Sequence, residues 1–129
     1  MAPLDILLVE DNPLNSELAR LLLELEGHRV DVVADAATFR RALDGEIPEI
    51  VLMDILLADG DGVALLHELR ASGRFPGRTV IALTAQALAA EVERLMSAGF
   101  DAVMTKPIDT RTFASEVARI AAARRPEAT

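Results

Sequence analysis

The chain predicts an α/β fold, a doubly wound parallel sheet of five strands with helices on both faces. Two observations carry that prediction. Short apolar runs alternate five times with longer segments of helical period. Several of those runs are continuous rather than alternating, as strands buried on both faces require. Consecutive parallel strands need crossover connections, and the intervening segments are long enough to be helices. At 129 residues the chain fits one domain over 1–125, with 126–129 as a short C-terminal tail.

Leu4–Val9 reads as the first strand, and the helix after it opens at Asn12-Pro13, with a capping side chain followed by an N1 proline. Leu14, Leu18, Leu21, Leu22 and Leu25 share one stripe of it, and Gly27 closes it. Arg29–Val33 is the second strand and Ala36–Leu43 the second helix. Glu49–Met53 is the third strand, with a third helix over Gly62–Ala71. Arg78–Leu83 is the fourth strand; Leu88–Ala98 follows as a helix stopped by Gly99, with Leu88, Val92, Leu95 and Met96 expected toward the sheet. Ala102–Thr105 is the last strand, and Thr110–Ala122 the last helix, behind a cap at Asp109.

Composition removes several functions. The net charge is −8 and no arginine cluster lies beside aromatic residues, so direct binding of nucleic acid is not expected. Cysteine is absent, which excludes disulfides, thiolate metal sites and cysteine nucleophiles. The apolar start Ile6–Val9 is too short for a leader or a membrane span, and a cytoplasmic protein without membrane insertion is expected.

Open α/β sheets bind ligands outside the carboxyl ends of their strands, where strand order reverses. Those ends carry Glu10, Asp11, Asp54, Thr84 and Lys106. With strand order 2-1-3-4-5, the first and third strands are neighbours and the acids become a cluster. Carboxylates about 5 Å apart repel by roughly 3 kcal/mol per pair at an effective dielectric near 20. Lys106, the single lysine among thirteen basic residues, balances one charge. The remaining charge and the all-oxygen donor set favour a hard divalent cation, with Mg²⁺ as the implied cofactor. A metal, an ammonium and a hydroxyl around a carboxylate are equipped to hold a phosphoryl group, and a carboxylate can serve as nucleophile. Asp54, between the flanking strands, is the candidate.

At these residues the chain resembles the receiver domains of two-component response regulators, a flavodoxin-like fold. Val9-Glu10-Asp11-Asn12 matches the acidic motif, Leu52-Met53-Asp54-Ile55 the phosphoacceptor strand, Ala82-Leu83-Thr84-Ala85 the hydroxyl strand and Thr105-Lys106-Pro107 the lysine motif. The resemblance implies that Asp54 accepts phosphate from a partner's phosphohistidine, supplied by a histidine kinase or a histidine phosphotransfer protein. It also implies that Glu10, Asp11, Asp54 and the backbone carbonyl of Leu56 hold Mg²⁺, and that the Lys106-Pro107 bond is cis. Leu56 and Gln86 occupy positions that tune phosphoryl lifetime, and Thr84 and Val103 stand at the switch positions.

The chain departs from the family pattern at two places. Val103 stands where an aromatic residue usually turns inward; a β-branched side chain is stiff and has no long arm to swing. Leu57-Ala58 replaces the usual Met-Pro and removes a proline restraint from the loop after Asp54. Weak relay to the face formed by the last two helices and last strand is therefore expected. The expected function is a stand-alone phosphoacceptor whose phosphorylation state controls protein contacts or onward phosphotransfer, with at most self-phosphorylation and self-dephosphorylation as activities. A receiver module of a hybrid histidine kinase is the alternative. A Mg²⁺-dependent phosphatase would place a second aspartate two residues after the nucleophile, where this chain has Leu56. His28 and His67 are read as placement near a helix end or surface exposure, and Asp59-Gly60-Asp61-Gly62 as turn chemistry.

Overall fold

The computed structural model describes residues 3–73, 78–86 and 88–124; the 126–129 tail lies outside them. In chain order the elements are β1 (Asp5–Val9), α1 (Pro13–Leu25), β2 (Arg29–Val33), α2 (Ala36–Ala42), β3 (Ile50–Asp54), β4 (Leu56–Leu57), β5 (Gly60–Asp61), α3 (Gly62–Ala71), β6 (Thr79–Thr84), α4 (Ala89–Ala98), β7 (Ala102–Thr105) and α5 (Phe113–Arg124). Five strands form one parallel sheet in the order β2-β1-β3-β6-β7. This is the predicted 2-1-3-4-5 order, with β6 and β7 as the fourth and fifth strands. The short antiparallel pair β4–β5 was not expected; strands of two residues carry no readable period.

The central strands β3 and β6 are buried along their whole length. One sheet face packs on Phe39 of α2, Leu65, Leu66 and Leu69 of α3, and Leu95 of α4. The other packs on Ala19 and Leu23 of α1 and on Phe113, Val117, Ile120 and Ala121 of α5.

Asn12 caps α1 as expected, its Oδ1 accepting the Leu14 and Asn15 N–H groups at 3.0 and 3.1 Å. Gly27 (φ 89°) and Gly99 (φ 118°) take left-handed conformations at helix ends, where a side chain would be strained. The leucine stripe of α1 does not face the core. Ala19 and Leu23 face the core with Leu22 partly buried, whereas Leu14 and Leu25 are 82% and 81% exposed and Leu18 and Leu21 also face solvent. This helix is apolar on more than one side, so periodicity alone selects no face. On α4 only Leu95 is fully buried; Leu88 and Met96 are exposed and Val92 is half-buried. Helix α5 begins at Phe113 rather than Thr110: Asp109 Oδ1 accepts the Arg111 N–H and its carbonyl the Phe113 N–H, closing a turn ahead of the helix.

Candidate functional site

At the carboxyl end of the sheet, β1 delivers Glu10, β3 ends on Asp54, β6 ends on Thr84, and the residue after β7 is Lys106. Parallel registry places these ends side by side: Val9 pairs with Met53, Asp54 with Leu83, and Thr84 with Thr105. The Lys106 N–H donates to the Thr84 carbonyl at 2.8 Å, extending that registry by one bond. The Lys106-Pro107 peptide bond is cis.

Lys106 Nζ donates to Glu10 Oε2 at 2.9 Å and to Asp54 Oδ2 at 3.0 Å. Side-chain exposures of 18%, 3% and 7% for Lys106, Glu10 and Asp54 put this triad largely out of water. Burial disfavours the Lys106 ammonium, but hydrogen bonds and charge from Glu10 and Asp54 together outweigh it and hold its pKa above the usual lysine value. The other oxygens are also directed: Glu10 Oε1 accepts the Asn12 N–H at 3.2 Å, and Asp54 Oδ1 accepts the Leu56 N–H at 3.0 Å.

Glu10, Asp11 and Asp54 each offer a carboxylate oxygen, all within 4.8 Å of one another. Asp11 is the exposed member, at the open side of the group. Three carboxylates beside one ammonium leave a formal excess of two negative charges, and oxygen-only donors open to solvent suit a magnesium ion that retains waters.

Thr84 is buried at 3% exposure, and its hydroxyl is engaged with the next turn, accepting the Gln86 N–H at 3.1 Å. Gln86 is exposed, as is Leu56, at 76%. Val103 is half-buried on β7 and packs on the α2–α3–α4 side of the sheet. The structure thus brings Glu10, Asp11, Asp54 and Lys106 together and leaves the Thr84 hydroxyl occupied elsewhere.

Sequence reasoning missed Gly62. A Cβ there would stand 2.7 Å from the Ile55 Cα and 2.8 Å from the Asp54 carbonyl oxygen, so only glycine lets α3 start this close behind Asp54. The Asp-Gly-Asp-Gly run contained the clue, but a turn alone explains it. His28 stands just past the end of α1, as expected, but is buried at 6% exposure rather than at the surface, and its Nδ1 accepts the Leu4 N–H at 3.1 Å, joining the α1–β2 turn to the start of β1. His67 is exposed, as expected.

The family model for the response regulator receiver domain matches residues 6–118. The chain belongs to this family. It is 31% identical over 111 residues to the polar-differentiation response regulator DivK of Brucella anthropi, covering 86% of this chain and 90% of that protein. It is 33% identical over 108 residues to response regulator Rre1 of Synechocystis sp., covering 83% of this chain but 47% of that protein. The chain spans about half the length, or less, of several curated relatives it matches. Among solved structures, the signal receiver domain of a signal transduction histidine kinase from Syntrophus aciditrophicus superposes with a TM-score of 0.82 at 30% identity, covering 98% of this chain and 97% of that one. Among the described residues, no helix of this receiver domain is long and apolar enough to cross a membrane.

Proposed function

We propose that this receiver domain is a phosphoacceptor in which Asp54 takes a phosphoryl group from a partner's phosphohistidine. The observation that carries the reading is the held carboxylate: one Asp54 oxygen accepts from the Leu56 N–H and the other from Lys106, beside Glu10 and Asp11. A carboxylate fixed at both oxygens is oriented before its donor arrives. In the transfer, an Asp54 oxygen forms the new P–O bond, the P–N bond to the donor imidazole breaks, and the imidazole leaves with that electron pair. Glu10, Asp11, Asp54 and the Leu56 carbonyl are the proposed Mg²⁺ ligands; the metal would neutralise phosphoryl oxygens. Lys106 turns from its two carboxylates to a phosphoryl oxygen, and the Thr84 hydroxyl gives up Gln86 to donate to another. Leu56 and Gln86 flank the phosphoryl group and set water access to it.

The partner is a histidine kinase or phosphotransfer protein, and the domain acts through that contact rather than as a turnover enzyme. The exposed face of α1 supports a helical partner. Leu14, Leu18, Leu21 and Leu25 have 4-3-4 spacing, the seam of helix-on-helix packing. Leu18 lines a cleft with Lys106, Pro107 and Ile108, so that seam runs up to the mouth of the site. A receiver carried within a hybrid kinase is the second reading, favoured by the likeness to the kinase receiver from Syntrophus aciditrophicus.

Intact mass spectrometry after incubation with acetyl phosphate and Mg²⁺ tests the proposal. One base-labile phosphoryl on the parent and none on Asp54→Asn is expected; an unmodified parent, or modification of the variant, would overturn it.

A further inference from the structure

Asp59 lies between the two strands of the β4–β5 hairpin, yet its carboxylate serves another element. Its Oδ1 accepts the Ala36 N–H at 2.8 Å and its Oδ2 the Ala37 N–H at 3.4 Å, both in the first turn of α2. That turn already has its own cap, because Asp35 Oδ1 accepts the Thr38 N–H at 2.7 Å and the Thr38 hydroxyl at 2.6 Å. A helix of seven residues needs no second carboxylate for its start, so the bond is better explained by what it does to the hairpin.

The packing agrees. A Cβ on Gly60 would stand 3.2 Å from the Ala36 Cβ, so the hairpin backbone lies flush against α2. Leu57 is buried in one cluster with Ala36 and Phe39. The other end of the hairpin enters the site, where Leu56 pairs with Asp61 and donates its N–H to Asp54 Oδ1 at 3.0 Å. Ala58 gives this loop no proline restraint, and the hairpin with its carboxylate latch supplies a different one.

The geometry points to Asp59 as a positioning residue: by fastening the hairpin to α2 it holds the Leu56 amide and carbonyl in register with Asp54. The functional part of this inference rests on the phosphoacceptor reading above; the structural part does not. Phosphoryl lifetime and metal affinity are then set partly from outside the pocket, by a carboxylate that touches neither ligand.

The test is amide hydrogen exchange by NMR on the full chain, with a Mg²⁺ titration of each variant. Asp59→Ala should speed exchange of the Leu56 amide about tenfold, the loss expected for one cap-strength bond, and weaken Mg²⁺ binding several-fold. Asp59→Asn keeps an acceptor for the Ala36 N–H and should restore most of both. Asp35→Ala removes the other cap and should free the Thr38 amide while leaving Leu56 at its parental rate. Should Asp59→Ala not fold, a rise at Leu56 in Asp59→Asn smaller than about tenfold, with none in Asp35→Ala, supports the inference in its place. Parental exchange at Leu56 in every Asp59 variant that folds, or an equal rise in Asp35→Ala, would overturn the inference. Exchange needs no phosphorylation, so a failed phosphoacceptor reading shows separately, as a parent that takes up no phosphoryl group from acetyl phosphate.

Discussion

At each end of the sheet a cation stands between two carboxylates, and these two groups differ in almost everything else. At the amino end, Arg29 reaches Asp5 at 3.6 Å and Glu46 at 3.2 Å, with side-chain exposures of 67%, 51% and 86%. At the carboxyl end, Lys106 reaches Glu10 and Asp54 at 2.9 and 3.0 Å with every member mostly buried. Water and salt screen the first group, and exposed pairs of this kind contribute about 0–1 kcal/mol. The second group is desolvated, so its charges are held against a cost that only close pairing offsets. Equal composition thus gives a surface ion pair at one end and a desolvated acidic pocket at the other; burial and the adjacent Asp11 make the difference.

The contrast is sharpest in stability. Lys106→Ala removes the only ammonium between two buried carboxylates and is expected to cost about 3 kcal/mol in urea unfolding at pH 7. Far-UV circular dichroism is the probe, since the chain has neither Trp nor Tyr. A cost near zero would show that the pocket is wetter than its burial indicates. Asp54→Asn removes a negative charge and leaves Lys106 paired with Glu10, so it should unfold within about 1 kcal/mol of the parent, or later, while losing phosphoryl acceptance. A large destabilisation would make Asp54 a structural residue.

Arg29→Ala should change stability by under about 0.5 kcal/mol, and by less still in 0.5 M salt. A cost comparable with that of Lys106→Ala would dissolve the distinction between the two ends.

The pH dependence separates the carboxyl-end group further. The folded Lys106 pKa lies above its ordinary value, so the stability contributed by its charge is fully present below about pH 10.4 and is lost as pH rises through the folded value. The difference between parent and Lys106→Ala should therefore stay flat from pH 7 to pH 9 in paired urea titrations. A difference that shrinks across that window would mean an ammonium losing its proton early. The smallest effect is at Asp35, whose side-chain and backbone hydrogen bonds from Thr38 hold its carboxyl below the usual range. Its contribution is present above the ordinary aspartate pKa and should fade as pH falls through the lower folded value, seen by comparing parent with Asp35→Ala in acid titrations.

Much of this was legible in the residues. The continuous runs at Leu4–Val9 and Arg78–Leu83, the Asn12-Pro13 start and the Gly99 stop act locally, through backbone hydrogen bonds and steric limits that a linear sequence records. The convergence of Glu10, Asp54 and Lys106 followed from topology, since parallel strands put every carboxyl end on one rim. What escaped depends on neighbours in space. Helix α1 carries leucines around more than half its circumference, and only the docked sheet decides that Ala19 and Leu23 face in while Leu14 and Leu25 face out. The close approach of Gly62 to Asp54, the hydrogen bond of buried His28 to Leu4 and the reach of Asp59 to α2 join residues whose pairing no local pattern encodes. The Thr84 hydroxyl was expected among the acids; its bond with Gln86 is a choice of rotamer, which composition does not fix.

The carboxyl-end group carries more negative charge than Lys106 can balance, and we propose that a divalent cation completes it. Isothermal titration calorimetry with Mg²⁺, on the parent and on Asp11→Ala, measures this directly. One equivalent taken up by the parent and a marked loss of affinity in Asp11→Ala is the predicted result; no uptake by folded parent, or binding indifferent to Asp11, would contradict it.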